Sequence, residues 1–463
     1  MKLYNTLTRS LEEFVPHKEG YVSFYTCGPT VYKDAHIGNL RNYIQADILQ
    51  RSLEYLGYDV DRCMNITDVG HLSSDADTGN DKMVTSAKES NKSVLDIAKI
   101  YTDKFFDDLE KLNIKLPNHI YKATECIDDY IEFIKTLEEK GYAYFKGGNV
   151  YFDTSKLDDY YALTNHNEEN NAIGVRDSVE EDSNKLNKSD FVLWFTKSKF
   201  DDQELKWDSP WGKGYPGWHI ECSVMAKKAF GEYLDIHSGG VDLIFPHHTN
   251  EIAQSEAYFG HKWCNYWIHN EYLNDSTGKM SKSKGEFLTL NLLIDKGYDP
   301  LSYRYFCLGS HYRKQLVFTY DSLDMAEKAY KKLKNKIALL DRTANLKEGK
   351  LDFYKNKFKE AIENDLNTSM MLTCLYDVLK DEELNDFTKL YLIDDFDKVL
   401  GLNLIDEHRD DLVDEEIEKL IIERDLAKKE KDFVKADQIR DDLLARGIKL
   451  VDTREGTKYE IIK

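Results

Sequence analysis

The 463-residue sequence predicts an α/β fold: a parallel-sheet domain interrupted by an insertion and followed by a largely helical C-terminal part. Three observations carry that prediction. Near the N-terminus a strand, a glycine-containing loop, an amphipathic helix and a second strand follow one another within about 45 residues, the order of a βαβ unit. Strand and helix patterns alternate again between about residues 215 and 270. From Ser322 onward nearly every segment has a helical period.

The first strand is YVSFYT (Tyr21–Thr26), which runs into CGPTVY and then HIGN (His36–Asn39). Leu40, Tyr43, Ile44, Ile48, Leu49, Leu53 and Leu56 recur at intervals of three and four, which is helical, and Gly57 ends the pattern as a C-terminal cap. A second strand over 58–65 leads to ITDVGH. Residues 71–82 are polar and acidic and read as a loop. Helices follow at about 92–112 and 126–140. YAYFKGGNVYFD reads as a hairpin and His166 to Asp190 as an irregular polar stretch, so 117–206 is expected to be an insertion rather than a continuation of the sheet. GWHIECSVMAKKAFG, YLDIHSGG and HHTNEIAQSEAYFG restore the alternation, and GIKLVDT with TKYEII forms a terminal hairpin. The expected segments are 1–116, 117–206, 207–270, 271–320 and 321–463.

Hydrophobic content of 41% with 12% aromatics is ample for a core and excludes a wholly disordered chain. No apolar run reaches the roughly 18 residues of a membrane span, and the N-terminus lacks the apolar stretch of a secretory signal. Seven cysteines at irregular spacings do not read as a disulfide framework, so a cytoplasmic, reducing compartment is expected. The net charge of −21 argues against a phosphate-bearing partner, but charge is segregated. Residues 271–350 hold 15 Lys+Arg against 10 Asp+Glu, and 426–463 hold 10 against 8, leaving −28 on the remainder. Lys328, Lys331, Lys332, Lys334 and Lys336 recur along one helix, with Ala326, Ala329, Leu333, Ile337 and Leu340 toward its core. That face reads either as an RNA contact or as an ordinary solvated surface.

Three constellations carry chemistry. HIGN lies between the first strand and first helix, where backbone N–H groups and the helix dipole favour a phosphate, although a plain turn with a buried histidine would look the same. KMSKSKGE (Lys279–Glu286) puts three lysines within six residues, able to fold over a polyphosphate or to form a solvated basic loop. Cys27, Cys222, His247 and Glu251 are a candidate metal set. His247 and Glu251 are one helical turn apart, and in a parallel sheet the strand ends converge on one crevice. Two thiolates, an imidazole and a carboxylate suit Zn²⁺. Spacing alone leaves open two buried cysteines beside a helix with a surface glutamate.

HIGN followed about 240 residues later by KMSKS resembles the class I aminoacyl-tRNA synthetases. CGPTVY, DFVLW, PGWHIECS, DIHSGGVDLIFPHHTNEIAQSE and KMSKS, in that order, resemble the cysteinyl-tRNA synthetases within them, over the whole chain. The resemblance implies a Rossmann-type catalytic domain with a connective insertion, a stem-contact fold at 271–320 and a helical anticodon-binding domain from 321. It implies a cysteine–tRNA ligase that joins L-cysteine to ATP, taken with Mg²⁺, as cysteinyl-adenylate and passes it to the 3′ end of tRNA(Cys). It implies one zinc per chain on Cys27, Cys222, His247 and Glu251, bonding the substrate thiol. His36, Asn39, Lys279 and Lys282 would be catalytic, and Thr30, Gly239 and Asp242 would join them around ATP. Gly28, Thr67, Trp218 and His237 would surround the cysteine, with His248 supporting rather than ligating. A monomer with no membrane partner is expected, and Tyr459 stands where the family carries a tryptophan that can stack on a base.

Departures from the family pattern are Asn39 for the last histidine of HIGH, Phe195 for lysine, Tyr215 for arginine, and Ser238 and Glu271 for glycines. Two other readings stand beside the first. A cysteine ligase of mycothiol biosynthesis would share the zinc and adenylate chemistry but lack about 140 C-terminal residues. A non-catalytic RNA-binding relative would have lost KMSKS or a metal ligand.

Overall fold

The computed structural model describes residues 1–69, 86–87, 92–164, 182–197, 204–275, 278–279, 287–343, 345–405, 410–429, 432–445, 448–453 and 456–461. The loop expected at 71–82, most of the polar stretch after His166, and Lys282 lie outside these residues. The chain divides into two units, Met1–Leu402 and Asn403–Lys463.

The first unit opens with a hairpin the sequence reading missed, β1 (Lys2–Asn5) antiparallel to β2 (Ser10–Glu13). The expected βαβ unit follows as β3 (Tyr21–Thr26), α1 (Ile37–Tyr55) and β4 (Asp59–Ile66). His36 caps α1: its Nδ1 accepts from the Gly38 N–H at 3.0 Å, while Asn39 Oδ1 accepts from the His36 N–H. This reciprocal capping box satisfies two otherwise orphaned donors. At the far end Gly57 has φ +96°, a left-handed conformation that lets the chain turn directly into β4.

Next come α2 (Val94–Lys111), β5 (His119–Lys122) and α3 (Ile127–Glu139). Here the structure differs from expectation. β5 lies inside 117–206 yet pairs parallel with β4, Cys63 opposite His119 through Ile66 opposite Lys122. The remainder of that segment does leave the sheet. β6 (Ala143–Lys146), β7 (Asn149–Phe152), β8 (Phe191–Phe195) and β9 (Tyr215–Pro216) form a separate four-stranded antiparallel sheet. The chain then returns through α4 (Trp218–Phe230), β10 (Leu234–Gly240), α5 (Thr249–Phe259) and β11 (Cys264–Asn270).

The central sheet has the order β11-β10-β3-β4-β5, with every neighbouring pair parallel. A parallel sheet must be covered on both faces, and it is. Val22, Phe24, Val60 and Ile236 pack against Ala46, Leu49 and Leu53 of α1. On the other side, Tyr25, Cys63 and Leu234 meet Tyr130, Phe133, Ile220, Val224, Trp263 and Trp267. The chain runs outward from β3 to β5 in one direction and from β10 to β11 in the other. The strand order therefore reverses between β3 and β10, where a crevice opens at the carboxyl ends.

Beyond β11, β12 (Leu273–Asp275) pairs antiparallel with β13 (Gly278–Lys279). α6 (Leu290–Asp295) and α7 (Pro300–Leu308) follow, and β14 (Leu316–Val317) returns parallel to β12. Four helices complete the unit: α8 (Tyr320–Ala338), α9 (Leu351–Glu363), α10 (Thr368–Lys380) and α11 (Asp386–Leu400). On α8, Leu323, Ala326, Tyr330, Leu333 and Ile337 are buried, with Tyr330 inward where Ala329 was expected. Lys328, Lys331, Lys332 and Lys336 are exposed on the outer face.

A buried ionic hub joins α1, α7 and α11. Asp47 accepts from Arg304 Nη2 at 2.6 Å, Arg51 Nε at 2.8 Å and the Lys115 N–H at 2.8 Å, while Arg304 Nε reaches the Leu400 carbonyl at 2.8 Å.

The second unit contains α12 (Asp410–Lys429), α13 (Phe433–Ala445), and the hairpin of β15 (Ile448–Thr453) and β16 (Gly456–Ile461) expected at the terminus. Ile439, Leu443 and Ile448 form its small core with Leu420 and Leu450.

Candidate metal centre and nucleotide cleft

At the β3–β10 crevice four donors converge. Cys27 follows β3, Cys222 sits in the second turn of α4, His247 lies just before α5, and Glu251 is in the first turn of α5. Cys27 Sγ is 3.9 Å from Cys222 Sγ and 3.9 Å from Glu251 Oε1; Cys222 Sγ is 3.5 Å from His247 Nε2, which is 3.0 Å from Glu251 Oε1. A tetrahedral zinc with bonds of roughly 2.0–2.3 Å sets its donors about 3.3–3.8 Å apart, so spacing and donor chemistry both fit the ion. One position of the group, Cys27, is only partly buried and faces the cleft.

The electrostatics also call for a cation. Burial, with Cys222 and Glu251 close by, pushes the Cys27 thiol well above its ordinary value. Burial opposes protonation of His247, but Glu251 and Cys222 outweigh it and raise the imidazole to about 10. Burial likewise disfavours the Glu251 carboxylate, yet His237 and His247 hold it down to about 2. Sulfur and carboxylate thus gather positive charge at this point, and a divalent ion can replace the proton that His247 would otherwise carry.

Around the donors stands a layer of histidines, of which the sequence reading takes His248 as supporting, puts His237 at the cysteine and leaves His219 and His269 aside. His219 Nδ1 is 3.0 Å from His247 Nδ1 and sets its ring, the usual supporting contact for a ligating imidazole. His237 is fully buried, does not line the cleft, and bonds the second oxygen of Glu251 at 2.8 Å. His248 Nε2 is 3.3 Å from Cys27 Sγ, and its Nδ1 is 2.7 Å from His269. Cys27, His237, His248 and Glu251 are therefore also mutually close, a second possible donor combination that shares two members with the first.

The cleft itself is lined by Cys27, Gly28, Thr30, Asn39, Trp218, Gly239, Gly240 and Asp242, among others. Trp218 opens α4 and stacks on His247 with centroids 4.3 Å apart, so the metal side of the cleft has one flat apolar wall. Gly28 has no room for a side chain, because a Cβ there would fall 1.6 Å from the Asn65 carbonyl oxygen. Its N–H donates to Asn65 Oδ1 at 2.7 Å, and Asn65 Nδ2 donates to Thr67 Oγ1 at 3.0 Å. Thr67 is itself buried below that surface and donates to Glu221 at 2.5 Å. Asn65 and Glu221 were not singled out from sequence, although Glu221 stands next to Cys222 in PGWHIECS.

His36 and Asn39 sit at the N-terminus of α1, and Phe287 lies 5.5 Å from the His36 ring. Lys279 belongs to β13. Among the departures, Phe195 and Tyr215 are register partners on β8 and β9 and stack at 5.0 Å and 18°. Two substitutions thus form one cross-strand aromatic pair. Ser238 lies on β10 within 3.5 Å of Thr26 Oγ1, and Glu271 offers its N–H to the Tyr312 carbonyl.

Residues 13–328 match the family model described as tRNA synthetases class I (C) catalytic domain. Over 99% of its own length and 99% of theirs, the chain is 48% identical to a cysteine–tRNA ligase of Treponema denticola and 46% identical to one of Borrelia hermsii. It is 44% identical to a cysteine–tRNA ligase of Clostridioides difficile, with 100% of each covered. A crystal structure of Mycobacterium tuberculosis methionyl-tRNA synthetase bound by methionyl-adenylate superposes with a TM-score of 0.55 at 14% identity, covering 82% of this chain and 91% of that one. That likeness is one of fold.

Proposed function

The chain belongs to the cysteine–tRNA ligase family of class I synthetases, and from that premise we propose how its residues perform the reaction. It is an ATP-dependent ligase that activates L-cysteine and esterifies tRNA with it. The observation that carries the reading is the Cys27, Cys222, His247, Glu251 cluster beside Trp218 in the β3–β10 crevice.

Cysteine enters with its side chain toward the four donors and its polar end toward Gly28 and Thr67. Bound there, zinc would supply a thiol-selective Lewis acid, lowering the pKa of sulfur and bonding it in preference to oxygen. Shape alone separates near-isosteres such as cysteine and serine by only about 10²-fold, so such selection removes the need for a second, editing site. His219 and His237 hold His247 and Glu251 in orientation. ATP, carried with Mg²⁺, lies along the cleft with its ribose toward Gly239, Gly240 and Asp242 and its phosphates toward the α1 N-terminus and Thr30. The cysteine carboxylate attacks the α-phosphorus and pyrophosphate leaves. His36, Asn39, Lys279 and Lys282 stabilise charge building on the phosphate oxygens, each well-placed donor being worth about 3 kcal/mol. The terminal ribose of tRNA then takes the aminoacyl group.

The four metal donors and, among the described residues, the lining of the cleft come from one chain, and on that ground we read a monomer as the working unit. All seven cysteines are free thiols, which suits a cytoplasmic location; among the described residues no helix is long and apolar enough to cross a membrane. A mycothiol-type ligase is disfavoured by the full-length match that includes the C-terminal helices, and a non-catalytic relative by the intact donor set.

Purified protein should carry one zinc per chain and support cysteine-dependent ATP–pyrophosphate exchange at least 10³-fold better than serine-dependent exchange. Cys222→Ala should lose the metal and reduce cysteine activation by more than 10²-fold while ATP still binds. A metal-free protein of full activity would overturn the reading.

A further inference from the structure

Arg41 has no place in the mechanism above and does not line the cleft, yet it is 2% exposed at the second turn of α1. Its guanidinium forms three hydrogen bonds, all to backbone carbonyls. Nη1 donates to Glu271 and Tyr272 at 2.7 Å each, and Nη2 to Lys314 at 2.8 Å. Those carbonyls sit at the roots of β12 and β14, the two strands that pair at Leu273–Leu316. β12 in turn carries β13, with Asn274 opposite Lys279.

The other side of the same segment is tied to the same helix. The Ile37 N–H donates to the Leu288 carbonyl at 2.9 Å, and the buried Tyr303 hydroxyl donates to the Ile37 carbonyl at 2.7 Å. A Cβ placed on Gly38 would come within 3.7 Å of the Leu273 side chain, so α1 and β12 approach at contact distance. The helix that begins with HIGN is thus bonded to the chain on both sides of KMSKS. Charge-assisted bonds from a planar guanidinium are strong and directional, and a lysine could not reproduce the fork.

We propose that Arg41 is a positioning residue for adenylate formation, locking the strand that leads into KMSKS to the helix that presents His36 and Asn39. The inference rests on the reading that Lys279 and Lys282 meet the phosphates of ATP. Two groups that stabilise one developing charge must be held in a common frame, and an error of about 1 Å costs on the order of 10²-fold in rate. Arg41 supplies that frame without touching substrate.

The test is a double-mutant cycle in the full-length, zinc-loaded enzyme with Arg41→Ala, Lys282→Ala and the pair, read by ATP–pyrophosphate exchange. Arg41→Ala should lower kcat about 10²-fold, leave the KM for cysteine and the zinc content within about twofold, and leave transfer from preformed cysteinyl-adenylate to tRNA nearly unchanged. If Arg41 acts through the lysine segment, the double variant should be no more than about threefold worse than Lys282→Ala alone. Arg41→Lys, which retains the charge and loses the fork, should fall between wild type and Arg41→Ala and carries the same cycle should the alanine variant not fold. Multiplicative losses, or a rise in the KM for cysteine equal to the fall in kcat, would overturn the clamp and leave the function of Lys282 standing. Exchange unaffected by Lys282→Ala would instead remove the reading of that lysine, and the clamp with it.

Discussion

Gly28 shows how a single position can serve both the fold and the pocket. The absence of a side chain lets the chain after β3 lie against Asn65, and the Asn65 amide in turn holds the Gly28 N–H and Thr67. Gly28→Ala cannot be accommodated by a side-chain rotation, since the obstruction at 1.6 Å is a backbone oxygen. The expected outcome is a KM for cysteine raised more than 10-fold with zinc retained, measured by exchange kinetics and metal analysis. Wild-type kinetics would remove Gly28 from the pocket. Asn39 is legible in a different way. HIGN departs from HIGH, and the structure gives asparagine a defined local task, closing the capping box with His36. Sequence identified the four donors only through resemblance, because no spacing rule links position 27 to position 222. The supporting histidines were harder still. His219 and His269 acquire meaning only from the imidazoles they meet, His247 and His248, and His237 stands behind Glu251, bonded to its second oxygen.

Among the elements, α1 is the most readable, with an apolar stripe and a glycine in the left-handed region at its end, while its capped start at His36 emerges only in the structure. β5 was not readable. Four residues, His119–Lys122, have no periodicity to distinguish them from a loop, and they become a strand by pairing with β4. The N-terminal hairpin is similarly short, with four residues in each strand. α2 carries a pH-dependent cost. Asp108, in its last turn, is buried with Oδ1 unpartnered among the described residues. Burial raises its pKa to about 7 from an ordinary 3.8, with Lys111 opposing and Asp107 and Asp34 adding to the rise. Between those values the folded chain holds a proton that the unfolded chain has lost, so stability falls as pH rises from about 4 to about 7. Asp108→Asn should therefore stabilise the protein at pH 8 by on the order of 2 kcal/mol and by much less at pH 4.5, seen by denaturant unfolding at both. An equal gain at the two pH values would show that ionisation is not the cause.

At the scale of the whole molecule, the net charge of −21 conceals a division of labour. The lysines of α8 face outward from an apolar seam, and the small second unit has a core of its own. Removal of 403–463 should leave ATP–pyrophosphate exchange within about threefold of wild type, since the cleft and donors lie within Met1–Leu402. Charging of tRNA should fall more than 10-fold, because the removed segment includes 426–463, the terminal stretch in which Lys+Arg outnumber Asp+Glu by 10 to 8. Exchange lost together with charging would mean that the second unit supports the catalytic one. The sequence by itself determined the parallel βαβ scaffold, the helical C-terminal half and, through its motifs, the chemistry, because periodicity and capping are local and motif residues keep their order along the chain. Only the tertiary structure decided that β5 joins the sheet, that Phe195 and Tyr215 form one stacked pair, and that Arg41 ties α1 to the strands beside KMSKS. These depend on hydrogen-bond partners and burial shared between residues up to about 270 positions apart, and no local pattern in a chain encodes which distant carbonyl a guanidinium will meet.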